Sequence, residues 1–281
     1  MVVPRSWPLV VMALLASTTW TQVGAEAGKA ELERPIAEAY VDKGRVQRKG
    51  IEVHGEVVDY LEAGPLDART VVFCHGAAFT MWTFQVVGVL DALAEMDVHS
   101  IALNLPGYGA SSKSLGADKE TYLSEVLKAL RIDEPVVVVA ASMGGTYAMP
   151  FVLAQPARVA GYVSAAGLLP SRLETVEVPT LFVYGDQDPR LENDKATIAA
   201  HFAESHTVVF KDAPHPCYLR DLDAANYFTH LVTNFAQGLP GLSDTESESF
   251  LLPVHAHWPT AAYQREFEHA QKHKKKHKKK T

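Results

Sequence analysis

The 281-residue chain is 47% apolar and 21% charged, a balance that excludes a disordered protein and leaves room for one sizeable hydrophobic core. Removing the seven lysines between Lys272 and Lys280 takes the formal net charge from −7 to −14, and a surface of that sign excludes nucleic-acid binding through the folded domain. With only Cys74 and Cys217, no disulfide framework holds the fold.

The N-terminus places Arg5 before an apolar stretch from Leu9 to Ala16, then polar Ser17-Thr18-Thr19 and small Val23-Gly24-Ala25. That order predicts a signal peptide over residues 1–25 and a mature protein in the secretory lumen or outside the cell. The apolar stretch is short for a bilayer span; the alternative is an uncleaved signal acting as a single-pass anchor. Residues 26–44 form an N-terminal extension. The folded domain is expected over 45–239, a linker with one short helix over 240–271, and a Lys/His-rich tail over 272–281. The tail is a solvated cationic segment suited to anionic membranes or other polyanions, and its interspersed histidines suit weak metal binding at most.

Within the domain, alternation from Arg45 to Leu61 around Gly50 and Gly55 predicts an antiparallel hairpin. Six short apolar runs follow, at 71–74, 98–103, 136–140, 159–163, 180–184 and 207–210. Helix-like stretches are expected at 84–97, 121–130, 143–155, 193–203 and 224–237. Alternating strands and helices predict an α/β fold: a mostly parallel sheet with helices on both faces. Only residues 166–179 separate two of the strands, so no lid domain fits there.

In such sheets, chemistry gathers at the carboxyl ends of the strands. The third run, Val136 to Ala140, ends in Ala141-Ser142-Met143-Gly144-Gly145. A serine at a strand-to-helix corner matches the nucleophile elbow G-x-S-x-G, with Ala140 in place of the first glycine; the plain alternative is a helix-capping serine. The other strand ends carry His75-Gly76-Ala77-Ala78, Asn104-Leu105-Pro106-Gly107-Tyr108-Gly109, Gly185-Asp186-Gln187-Asp188-Pro189 and Pro214-His215-Pro216. Serine, acid and histidine occur in the chain order of α/β-hydrolases.

From Ile51 to Leu239 the sequence resembles the α/β-hydrolase fold. The motifs Leu105-Pro-Gly-Tyr-Gly-Ala-Ser111, Tyr184-Gly-Asp-Gln-Asp-Pro189, Tyr147-Ala-Met-Pro-Phe151 and His215-Pro-Cys-Tyr-Leu219 are similar to the small, capless group called α/β-hydrolase-domain-containing protein 14. It departs from that pattern at Ala140, at Ala141 and at Asn104, where the group usually has aspartate.

A serine hydroxyl needs a base near neutral pH, and His215, held between two prolines, is the expected one. The resemblance puts the orienting acid at Asp188 and leaves Asp186 to bond turn backbone. The amides of Ala77 and Met143 are the expected oxyanion donors, His75 has a structural role, and Phe79, Trp82 and Tyr218 are candidate pocket walls. Pro150 is expected to kink the nucleophile helix. Cys74 and Cys217 are expected as buried free thiols, a bridge between them being the alternative. The reading is a serine hydrolase acting on small acyl esters or amides through an acyl-enzyme, and the resemblance extends this to acyl-lysine. This chemistry calls for no cofactor or metal. The alternative is a binding or scaffold protein that keeps the fold without turnover. Oligomeric state is open.

Overall fold

The computed structural model describes residues 45–113 and 118–238. The expected signal segment, the N-terminal extension, the linker and the tail all lie outside the described residues.

Eight strands form one sheet: β1 (Val46–Val53), β2 (Glu56–Ala63), β3 (Thr70–Cys74), β4 (His99–Leu103), β5 (Val136–Ala141), β6 (Val159–Ala165), β7 (Thr180–Gly185) and β8 (Ser205–Phe210). Their spatial order is β1-β2-β4-β3-β5-β6-β7-β8. The β1/β2 and β2/β4 pairs are antiparallel, and every later pair is parallel. Among the described residues the α-helices are α1 (Trp82–Val87), α2 (Val89–Glu95), α3 (Tyr122–Ala129), α4 (Gly145–Ala154), α5 (Arg190–His201) and α6 (Leu222–Ala236).

The run Val136–Ala141 is buried at every position, as a central parallel strand covered on both faces must be. Because strand side chains alternate, Val71, Phe73, Val137 and Val139 face one core cluster with α1, α2 and α6. Val72, Cys74, Val138 and Ala140 face the other, with α3, α4 and α5.

Several boundaries differ from the sequence expectation. The hairpin turns at His54-Gly55, and Gly50 lies inside β1 opposite Asp59. The expected helix over 84–97 is two short helices, because Gly88 takes a φ of 86° and its amide closes the first helix onto Gln85. The helix after β5 begins with a 3₁₀ turn, Ser142–Gly144, and runs on through Pro150 to Ala154. Helix α5 starts three residues earlier than expected, at Arg190. Residues 166–179 carry no helix, only a bridge from Val176 to Phe202, so they build no lid domain.

Cys74 and Cys217 are free and buried, and burial pushes both thiols up to about 12. The bridge considered from sequence does not form, and packing gives the reason: Cys74 belongs to one core cluster and Cys217 to the other.

Candidate active site

Ser142 sits where β5 ends, with a φ of 48°. A non-glycine residue in this region is strained, and the strain lifts the side chain from the turn toward solvent at the start of the 3₁₀ turn and α4. The packing beneath leaves no freedom. A Cβ on Gly144 would come within 2.3 Å of the Cys74 carbonyl oxygen, and one on Gly145 within 2.6 Å of the Leu168 backbone. The two glycines therefore seat the corner against the end of β3 and the loop after β6. Ala140, in contrast, is an ordinary buried strand residue paired with Cys74 and Ser164, so the missing first glycine leaves the corner intact.

His215 and Asp188 meet as the chain order suggested. The His215 Nδ1 lies 2.8 Å from Asp188 Oδ2, which leaves Nε2 facing the serine side. The other Asp188 oxygen accepts the Arg190 amide at 3.0 Å. Burial raises the Asp188 carboxyl, but the hydrogen bond to His215 and the Arg190 amide outweigh it and hold the group below its ordinary range. Asp186 faces away, accepting the amides of Asp212 (3.0 Å) and Ala213 (3.1 Å). These bonds, the Asp212 amide first, depress its carboxyl and tie the acid-bearing turn to the loop that carries His215. A Cβ on Gly185 would fall 2.0 Å from the Ala213 carbonyl oxygen, so glycine is what lets these two loops touch.

His75 joins two strand ends. Its Nε2 accepts the Leu105 amide at 3.1 Å, which makes Nδ1 the donor to the Gly76 carbonyl at 2.9 Å. Fully buried and neutral, it has its pKa lowered to about 4 by burial. Its ring meets Tyr108 edge-on, and the Tyr108 hydroxyl donates to the Ala77 carbonyl at 3.0 Å while lying 3.5 Å from Met143 Sδ. Tyr108 thus touches both residues expected to supply oxyanion donors.

Asn104 fills the place where an aspartate was expected. Its Oδ1 accepts the Met81 amide at 2.9 Å, and its Nδ2 donates to Asp59 Oδ2 at 2.8 Å. Asp59 is the carboxylate of this corner, held also by Arg48 at 2.8 Å and 3.1 Å and by the Ala110 amide at 3.1 Å. With an acid already buried there, the neighbour has to be a donor.

Of the three candidate pocket residues, Phe79 packs where Gly76 meets Ser142: a Cβ on Gly76 would lie 3.4 Å from Ser142 Cβ and 3.5 Å from the Phe79 ring. Trp82 and Tyr218 are buried in the core cluster below, and Tyr218 stacks on Phe228 with ring centroids 4.7 Å apart.

Sequence reasoning missed Arg190. Its Nη1 donates to Ser142 Oγ at 3.1 Å and to the Ala166 carbonyl at 2.8 Å, and lies 3.5 Å from His215 Nε2. One nitrogen therefore neighbours both the hydroxyl and the imidazole, with no direct bond joining those two groups among the described residues. The available signal was position: Arg190 follows Asp188-Pro189 at the carboxyl end of β7, where site residues collect. Among the described residues no group of three or more His, Cys, Asp or Glu side chains is placed to hold a metal ion.

The comparisons with known proteins bear on the family and the fold. Human ABHD14B, named "Putative protein-lysine deacylase ABHD14B", is 30% identical over 208 residues, covering 69% of this chain and 97% of that protein. Zebrafish (Danio rerio) Protein ABHD14A is 36% identical over 180 residues, covering 57% of this chain and 65% of that protein. The crystal structure of carboxylesterase CesB from Bacillus subtilis superposes with a TM-score of 0.61 at 13% identity, covering 75% of this chain and 99% of that one. The model of the alpha/beta hydrolase family matches residues 71–265. With the sheet order, the strained serine corner and this match together, the chain belongs to the alpha/beta hydrolase family and resembles its ABHD14 group.

Proposed function

We propose that this hydrolase is a serine hydrolase that forms an acyl-enzyme on Ser142 and acts on small acyl esters or amides, acyl-lysine among them. The observation that carries the reading is the His215–Asp188 contact of 2.8 Å near a serine held at a φ of 48°, with Arg190 Nη1 neighbouring both His215 Nε2 and Ser142 Oγ. In this mechanism Ser142 Oγ attacks the acyl carbonyl carbon while His215 Nε2 takes the hydroxyl proton. Asp188 holds the imidazole by Nδ1 and balances its positive charge. The carbonyl oxygen becomes an oxyanion facing the amides of Ala77 and Met143. Collapse breaks the bond to the leaving alcohol or amine, which departs with the proton from His215. Water then attacks the acyl-enzyme, His215 again taking a proton and returning it to Ser142 as the acid is released.

The name carried by human ABHD14B supports an acyl-lysine substrate, and the small residues Ala77 and Ala78, which follow Gly76 at the end of β3, suit a short acyl group. With no helix over residues 166–179, the described residues build no lid there, which suits an acyl group presented on a larger acceptor such as a lysine side chain. A fluorophosphonate probe tests the proposal. Wild type is expected to be labelled and Ser142→Ala to be silent, with short-chain esters and acetyl-lysine peptides hydrolysed only by the former. A folded wild type that takes no label favours a scaffold protein.

A further inference from the structure

We infer that Arg190 makes this site selective for acyl groups ending in a carboxylate, such as a succinyl or glutaryl chain. The inference rests on the serine-hydrolase reading and specifies its substrate class. Arg190 is a half-buried guanidinium whose main chain is fixed, its amide bonded to Asp188 Oδ1 at 3.0 Å. Its head is turned into the site, against Ser142 Oγ at 3.1 Å.

Nη1 meets a hydroxyl, a backbone carbonyl and an imidazole nitrogen, none of them a carboxylate. Arg45, Arg48 and Arg220 pair with Glu95, Asp59 and Asp221, whereas no carboxylate lies within ion-pair distance of Arg190 among the described residues. The nearby Asp188 carboxylate is committed, one oxygen to His215 and the other to backbone. A guanidinium offers five donors in a fork that matches a carboxylate, and here that fork stands beside the oxygen that would carry the acyl group.

The whole chain has a formal net charge of −7, which disfavours approach of an anion; a cation beside the nucleophile offsets that at the point of reaction. While Arg190 donates to Ser142 Oγ it competes with His215 for that oxygen's surroundings. A carboxylate two or three methylenes beyond the scissile carbonyl draws the guanidinium onto itself and frees Oγ to face Nε2. A neutral acetyl group offers Arg190 nothing in exchange.

The test compares p-nitrophenyl acetate with the p-nitrophenyl monoester of succinic acid on wild type, Arg190→Gln and Arg190→Lys. Wild type is expected to prefer the anionic ester in kcat/KM. The ratio should fall by about ten- to a hundred-fold in Arg190→Gln, the size of a lost charge-assisted pair, and be partly restored in Arg190→Lys. A wild type that prefers the acetate, or a ratio unchanged by Arg190→Gln, overturns the inference and leaves Arg190 as a tether on Ser142. Fluorophosphonate labelling of the same preparations reads the nucleophile separately: labelling with the wrong selectivity sinks only this inference. If labelling and turnover both fail, succinate itself is the probe. Its raising the melting temperature of wild type but not of Arg190→Gln supports the anion site, and no difference overturns it.

Discussion

The His75 imidazole gives the loop scaffold of the site an acid-sensitive support. Its ordinary pKa of 6.5 is lowered to about 4 by complete burial, so the unfolded chain binds a proton there that the folded chain refuses. A depressed folded-state value stabilises the fold fully above pH 6.5, and that contribution is lost as the pH falls from 6.5 toward 4. At roughly 1.4 kcal/mol per unit the gap corresponds to about 3 kcal/mol. That is a large share of the stability of an ordinary domain. Protonation also breaks the bond by which Nε2 accepts the Leu105 amide, so the loss falls on the joint between the loops after β3 and β4. Urea unfolding at pH 7, 6, 5 and 4.5, followed by tryptophan fluorescence, measures it in wild type and in His75→Asn. Other histidines lowered by burial, His99 and His230, contribute alike to both proteins and cancel. The stability difference between wild type and variant should shrink by most of about 3 kcal/mol across this range. A difference that stays constant with pH refutes the argument.

Gly185→Ala should destabilise by about 2–3 kcal/mol through overpacking, since its Cβ would fall 2.0 Å from the Ala213 oxygen; a melting temperature within a degree of wild type contradicts this. Asn104→Asp sets a second carboxylate against Asp59 and removes the donor at 2.8 Å. It should cost about 2 kcal/mol at pH 7 and recover in mild acid, both read by denaturant midpoint. Asp188→Asn should lower kcat by about three to four orders of magnitude while the protein stays folded by circular dichroism. Because the Asp188 carboxyl is depressed in the fold, its contribution to stability is present above 3.8 and lost below it. The variant should therefore lose part of the wild-type acid limb.

The fold was legible because its signals are local. Each of the six apolar runs became a strand of the parallel part of the sheet; β3, β4, β5 and β7 are buried at every position, and such runs need no pairing partner to be recognised. The helix after β3 was misjudged because Gly88 is tolerable in a helix by composition, and only its φ of 86° shows a break. The cysteines are the buried free thiols expected; the alternative bridge was open because their motifs follow strand ends, yet alternation along β3 already assigned Cys74 to the face opposite Phe73. At the site, His215, Asp188 and Ser142 announced themselves by following strand ends in order. Arg190 did not, because its importance lies in where a long flexible side chain points, and no spacing rule encodes that. The departure at Asn104 made sense only once Asp59, forty-five residues earlier, was seen to supply the buried charge of that corner.

In the proposed reaction Ser142 carries the acyl group. Brief incubation with p-nitrophenyl succinate and p-nitrophenyl acetate, acid quench and peptide mass mapping reads this directly, with Asp188→Asn included to slow release of the adduct. An acyl group on the peptide containing Ser142, absent in Ser142→Ala, is the predicted result. Turnover with the adduct on another residue, or turnover undiminished in Ser142→Ala, would contradict it.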